Sequence, residues 1–212
     1  MEPMKKYLDK EWQKKMSLSL DYSCMLKETI GGNGIGLDEL SGLSGRLEAA
    51  HEAVEQGRSR MEWRDLPYIP AGEIEAILSF AADVRKNCSS FVVLGIGGSA
   101  LGPIAVHQAL KHLHYNELPE KARGGPRLYV EDNIDPERMA ALMDVIDIEK
   151  AMFNVVSKSG TTAETMAQFL IITCVLKEKL GKRWKEHIVI TTDPVKGCLR
   201  KLVQEEGFAS FP

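Results

Sequence analysis

Long apolar runs are missing from this sequence. Its wholly apolar stretches fall far short of the roughly 18 residues a membrane-spanning helix needs, which predicts no transmembrane segment and no membrane partner. Cysteine is sparse. Cys24, Cys88, Cys174 and Cys198 lie far apart with no C-x-x-C pair, a pattern of reduced thiols and not of a disulfide framework. A basic excess is also missing: 27 Lys and Arg stand against 30 Asp and Glu, for a net charge of −3. Nothing in that balance draws nucleic acid or an anionic surface. There is no solenoid-type repeat and no low-complexity tract. The opening "MEPMKKYLDKEW" has no apolar stretch of the kind a secretory leader carries. A soluble cytoplasmic protein is expected.

What is present is a chain of 212 residues, room for one large domain or a domain with an appendage. Its pattern changes near residue 89. Residues 1–88 read as a helical segment. Leu40, Leu43, Leu47, Ala50 and Val54 recur at helical spacing, as do Ile74, Ile77, Leu78 and Ala81. "GGNGIGLDELSG" and "WRDLPYIPAG" read as loops from their Gly and Pro.

Residues 89–212 alternate strand and helix. "FVVLGI", "RLYVED", "AMFNVVS" and "HIVITTD" are short apolar strands. Helices follow at "ALGPIAVHQALKHL", "DPERMAALMDVI", "AETMAQFLIITCVLKEKLG" and "PVKGCLRKLVQEEG". Asp135 and Pro136 supply an N-cap and first-turn proline, Met139, Leu142, Met143 and Ile146 a buried stripe, and Gly181 a helix stop. Apolar strands separated by helices predict an α/β fold: a doubly wound, mainly parallel sheet, with the helical segment before it. Ligands of such sheets bind at the carboxyl ends of the strands.

Two loops lie there. Gly95-Ile96-Gly97-Gly98-Ser99 joins the first strand to its helix. Its glycines let a ligand approach the backbone, and the helix start favours an anion. "SKSGTT", Ser157 to Thr162, follows the third strand with four hydroxyls, Lys158 and a turn-forming Gly160. Charge-assisted hydrogen bonds from such groups to a phosphate are worth about 1.5–3 kcal/mol each. Thr161 or Thr162 can serve as N-cap, with Glu164 in the first turn. Two blander readings stand beside this one: a tight strand-to-helix turn, and a capping box with spare hydroxyls. A dinucleotide reading is open too, because Gly95, Gly97 and Ala100 fit G-x-G-x-x-G/A and Glu131 or Asp132 can take a ribose hydroxyl. The acid lies further downstream than the usual ~20 residues, and a nicotinamide cofactor gives no reason for "SKSGTT".

"GIGGSALG" together with "SKSGTTAET" resembles the N-terminal sugar isomerase (SIS) domain of the phosphoglucose isomerase family. "DLPYIP" and "YVEDNIDP" are similar as well, and the resemblance covers essentially the whole chain. It implies an SIS-type, flavodoxin-like sheet. It further implies that Gly98 and Ser99, with Ser157, Lys158, Ser159, Gly160, Thr161 and Thr162, hold the phosphate of a hexose 6-phosphate. The family interconverts glucose 6-phosphate and fructose 6-phosphate through a cis-enediol, without metal or cofactor, and its members are usually homodimers. They are about twice this length. The arginine, the base glutamate and the ring-opening histidine of the family fall beyond residue 212, so no catalytic residue is assigned and little turnover is expected of this chain alone.

Other candidates carry less. Glu48, Glu52, Glu117, Glu149 and Glu178 read as solvated, His107 as packing or surface, and His112 and His114 lack a further ligand at metal spacing. Ser157 and Ser159 have no partner for acyl transfer. Two further functions are weighed against an isomerase portion: a non-catalytic phosphosugar-binding SIS module and a nicotinamide-dependent dehydrogenase domain.

Overall fold

The structure, a computed structural model, describes residues 9–212; residues 1–8 of the opening stretch, where no leader is expected, lie outside it. It divides into two compact units, one ending at Ile69 and the other running from Pro70 to Pro212. The helix at Ala71–Asn87 belongs to the second unit, whereas the change in sequence pattern falls near residue 89.

The first unit contains α1 (Lys10–Lys15), α2 (Lys27–Ile30), α3 (Leu37–Gly42) and α4 (Ser44–Gln56). Part of the expected loop over residues 31–42 is therefore helical. The Glu39 carboxylate accepts the Gly36 N–H at 2.7 Å and pairs with Lys27 at 2.8 Å, which satisfies an orphan donor at the start of α3. Of the expected loop "WRDLPYIPAG", the stretch up to Tyr68 likewise belongs to a 3₁₀ helix, Glu62–Tyr68. The stripe on α4 is helical as expected but not buried, with Leu47 60% and Val54 45% exposed.

The second unit begins with α5 (Ala71–Asn87) and continues β1 (Ser90–Leu94), α6 (Gly98–Leu110), α7 (Glu120–Arg123), β2 (Arg127–Glu131), α8 (Pro136–Val145), β3 (Ala151–Val156), α9 (Ala163–Leu180), β4 (Ile188–Thr191), α10 (Cys198–Glu206) and β5 (Ala209–Phe211). The strands form one sheet in the order β2-β1-β3-β4-β5. Every pairing is parallel. Because the order reverses between β1 and β3, a crevice opens there at the carboxyl ends of the strands.

Alternation along the strands builds two faces. Val92, Leu94, Phe153, Val155, Ile188 and Ile190 pack on one face against Met139, Leu142 and Ile146, against Phe169, Ile172 and Leu176 of α9, and against Leu199 and Val203 of α10. Met143 is partly buried beside them. A smaller cluster on the other face joins Val84, Met152 and Val189 to Phe80, Phe91 and Phe211. Asp135 caps α8 by accepting the Glu137 and Arg138 N–H groups, and Pro136 sits in the first turn.

Two expectations shift. Helix α10 starts at Cys198 and not at Pro194, because the Asp193 carboxylate accepts the Val195 and Lys196 N–H groups at 2.8 and 2.9 Å and holds a turn there. Strand β5 has no counterpart in the sequence pattern; three residues are too few to show alternation, and its place comes from pairing with β4. Among the described residues no helix is long and apolar enough to cross a membrane.

Candidate functional site

Both glycine- and hydroxyl-rich loops leave the sheet at the β1/β3 reversal. Leu94 pairs with Val155, so Gly95–Gly98 and Ser157–Thr162 continue from adjacent strand ends onto the same rim. Neighbouring strands run about 4.8 Å apart, which brings the two loops side by side.

The first loop turns sharply. Gly97 has φ of +56° and occupies the N-cap of α6, with Gly98 and Ser99 opening the helix. The Ser99 N–H donates to Ile96 O and the Ala100 N–H to Gly97 O. The N–H groups of Gly97 and Gly98 meet no acceptor among the described residues. These two donors stand at the positive end of a 13-residue helix, where an anion is favoured.

The second loop is organised by its hydroxyls. Ser157 is buried, its Oγ accepts the Gly160 N–H at 3.1 Å, and it shares a hydrogen bond of 3.1 Å with Thr162 Oγ1. Ser159 Oγ accepts both the N–H and the hydroxyl of Thr161, at 3.2 and 3.1 Å. Thr162 does occupy the N-cap of α9, but its side chain faces Ser157 and does not cap the helix. The alternative reading, a capping box with spare hydroxyls, is therefore not what forms, and the hydroxyls bond within the loop. Lys158 and Ser159 are exposed on its outer side. The rim thus carries backbone N–H groups at a helix start, several hydroxyls and one lysine, the donor types that hydrogen-bond an oxyanion.

The remaining candidates sit apart from this chemistry. Glu131 and Asp132 are both engaged by Arg138, at 3.2 and 2.9 Å, so neither acid named for a dinucleotide ribose stands unpaired. Glu164 lies in the first turn of α9. His107 packs edge-on against Tyr115 with ring centroids 4.8 Å apart, and burial pushes its imidazole pKa down. The His114 N–H donates to His112 Nδ1, and among the described residues no group of three or more His, Cys, Asp or Glu is placed to hold a metal ion. Glu48, Glu52, Glu117, Glu149 and Glu178 are exposed. A cavity of about 430 Å³ lies on the opposite face of the sheet, walled by Phe80, Val84, Phe91, Val189 and Phe211; it holds none of the loop residues.

Reading the first and third strand ends alone misses the contribution of the fourth. Thr192 Oγ1 donates to Ser157 O at 2.7 Å, and the Ser157 N–H donates to Thr191 O at 3.0 Å. The signal is present in "TTDPVKG": an Asp-Pro turn and a glycine at the same rim, where ligand loops of such sheets gather.

Comparison with known proteins agrees with this geometry. The profile of the family described as phosphoglucose isomerase matches residues 74–197 and so includes both loops. A glucose-6-phosphate isomerase of Carboxydothermus hydrogenoformans is 49% identical over 198 residues, which are 92% of this chain and 43% of that protein. One from Rubrobacter xylanophilus is 49% identical over 140 residues, 65% of this chain and 32% of its own. Among solved structures, a hypothetical protein of Thermus thermophilus superposes with a TM-score of 0.69 at 35% identity, over 82% of this chain and 40% of that one. A glucose-6-phosphate isomerase from Chlamydia trachomatis superposes with a TM-score of 0.51 at 31% identity, over 66% of this chain and 25% of that one. This chain thus spans less than half the length of these relatives. With its family profile, its parallel sheet and its paired rim loops in accord, the chain belongs to the phosphoglucose isomerase family.

Proposed function

We propose that this chain is the phosphate-gripping portion of an aldose–ketose isomerase acting on glucose 6-phosphate and fructose 6-phosphate. The observation that carries the reading is the juxtaposition of Gly97–Ser99 with Ser157–Thr162 at the β1/β3 reversal. The N–H groups of Gly97 and Gly98, the Ser99, Ser159 and Thr161 hydroxyls and the Lys158 ammonium each bond a phosphate oxygen. Buried Ser157 shapes the loop from within, through Gly160 and Thr162.

Anchoring the phosphate fixes the far end of an open-chain sugar. Its C1 and C2 then lie at a set distance from the rim, where a proton passes between them through a cis-enediol. Binding energy from a non-reacting group lowers the barrier by orienting the reacting one. This chain supplies the anchor; the proton-transferring groups belong to the part of the relatives outside the matched span. The substrate is the partner of this site, and two such chains in a homodimer are the proposed assembly.

A thermal-shift titration tests the reading. A ligand that binds only the folded state raises the melting point by mass action. Fructose 6-phosphate is expected to give a saturable shift larger than inorganic phosphate at equal ionic strength, with none from NAD. In the Ser159→Ala, Thr162→Ala double variant the fructose 6-phosphate shift is expected to vanish. A shift with NAD alone refutes the reading and restores the dinucleotide loop.

A further inference from the structure

The turn between β4 and α10 meets the apex of the phosphate loop glycine against main chain. Gly197 has φ of +107°, and a Cβ there would stand 2.8 Å from Ser159 O. Gly160 has φ of +66°, and a Cβ there would stand 2.7 Å from Leu199 N and 3.1 Å from Cys198 N. Each glycine thus faces the other segment's main chain at a distance no side chain tolerates. The contact interlocks Ser159-Gly160 with the start of α10.

The turn is itself held rigid. Its Asp193 carboxylate accepts the Val195 and Lys196 N–H groups, which keeps that carboxyl below the usual carboxylate range. Arg200 donates from Nε to Asp193 O at 2.9 Å and from Nη1 to Ser210 Oγ at 3.2 Å. Thr192, just before the turn, is the residue that donates to Ser157 O. One end of the phosphate loop is therefore tied to β4 by a side-chain hydrogen bond, and its apex rests on Gly197.

We infer that the Thr192–Gly197 turn is a positioning element for the phosphate seat, with Gly197 and Arg200 as its determining residues. The inference rests on the phosphate reading of the Ser157–Thr162 loop and names what holds that loop in its binding geometry. Seats for phosphate tolerate only about 0.5 Å of error in their donors. A methyl group at Gly197 must displace Ser159 O by more than that, since ordinary Cβ contacts begin near 3.4 Å.

The test follows backbone amide NMR shifts of the full 212-residue chain while inorganic phosphate, then fructose 6-phosphate, is added. In the unaltered chain the amides of Gly97–Ser99 and of Lys158–Thr162 are expected to respond together. In Gly197→Ala the response at Ser159, Gly160 and Thr161 is expected to be lost and affinity to fall about tenfold, the worth of one charge-assisted hydrogen bond. The Gly97–Ser99 amides should still respond. General destabilisation would weaken both loops alike, so the split between them is the signature of positioning.

Arg200→Met adds no atom at the interlock and covers the case in which Gly197→Ala fails to fold. About a threefold loss, again confined to the second loop, is expected of it. Unchanged affinity and an unchanged pattern in the folded variants overturn the inference while leaving the phosphate reading intact. Silence of Lys158–Thr162 in the unaltered chain overturns both.

Discussion

Glu131 shows how a single residue at the rim can be spoken for before any ligand arrives. It ends β2 with its side chain 8% exposed; burial raises its carboxyl pKa, while the Arg138 guanidinium pulls it back. A carboxyl whose folded pKa is raised contributes stability below its unfolded value, and that contribution is lost as pH rises through the folded one. Without Arg138 the rise is larger. Arg138→Met is therefore expected to cost about 1–2 kcal/mol at pH 7, a charged hydrogen bond discounted for the exposure of the arginine. The deficit should shrink as pH falls and Glu131, its carboxyl pKa raised by burial, takes up a proton. Urea melts at pH 7 and pH 4.5 check this, and an equal deficit at both would refute the role given to the pair. The hydroxyls of the Ser157–Thr162 loop behave differently. Ser159 and Thr161 bond each other on the exposed side of the loop and can turn without leaving a buried group unpaired, whereas buried Ser157 is held by the Gly160 N–H and the Thr162 hydroxyl.

At the scale of elements, local signals and packing agree in some places and part in others. Helix α8 is set by its own sequence: Asp135 caps it, Pro136 opens it, and Met139, Leu142 and Ile146 are buried. Asp135→Ala is expected to cost about 1 kcal/mol, the usual worth of an N-cap. That lowers the melting point of a chain of this size by about 2–4 °C, as calorimetry would show, with the other helices unaffected. Helix α10 is the opposite case. Its periodicity extends back to Pro194, yet the Asp193 turn and Gly197 delay its start to Cys198. That delay is what lets its first residues rest on Gly160. Helix α4 keeps its periodicity and buries nothing, because a stripe of leucines states which face is apolar and not what covers it.

Across the whole molecule, buried apolar side chains concentrate in the second unit. Val92, Leu94, Phe153, Val155, Ile188 and Ile190 are almost wholly inaccessible there, whereas none of the helices α1 to α4 contains a buried residue. Regions with few buried contacts open at low free energy cost. Hydrogen exchange is accordingly expected to be fast over Lys10–Gln56 and slowest in β1, β3 and β4, with protection factors rising by orders of magnitude between them. Equal protection in the two units would contradict this division of the core.

The α/β class, four of the five strands, helices α6, α8, α9 and α10 and both rim loops were legible in sequence. Each rests on a local cause: apolar runs of strand length, capping residues, and glycine or hydroxyl clusters at strand ends. Ser99 and Ser157–Thr162 could be named for the same reason. The strand order, strand β5, the capture of Glu131 and Asp132 by Arg138, and the support of Ser159 and Gly160 by Gly197 were decided only by the tertiary structure. They join residues from separate elements, 38 positions apart for Ser159 and Gly197 by their numbering. No local preference records which main chains will meet once the sheet has formed.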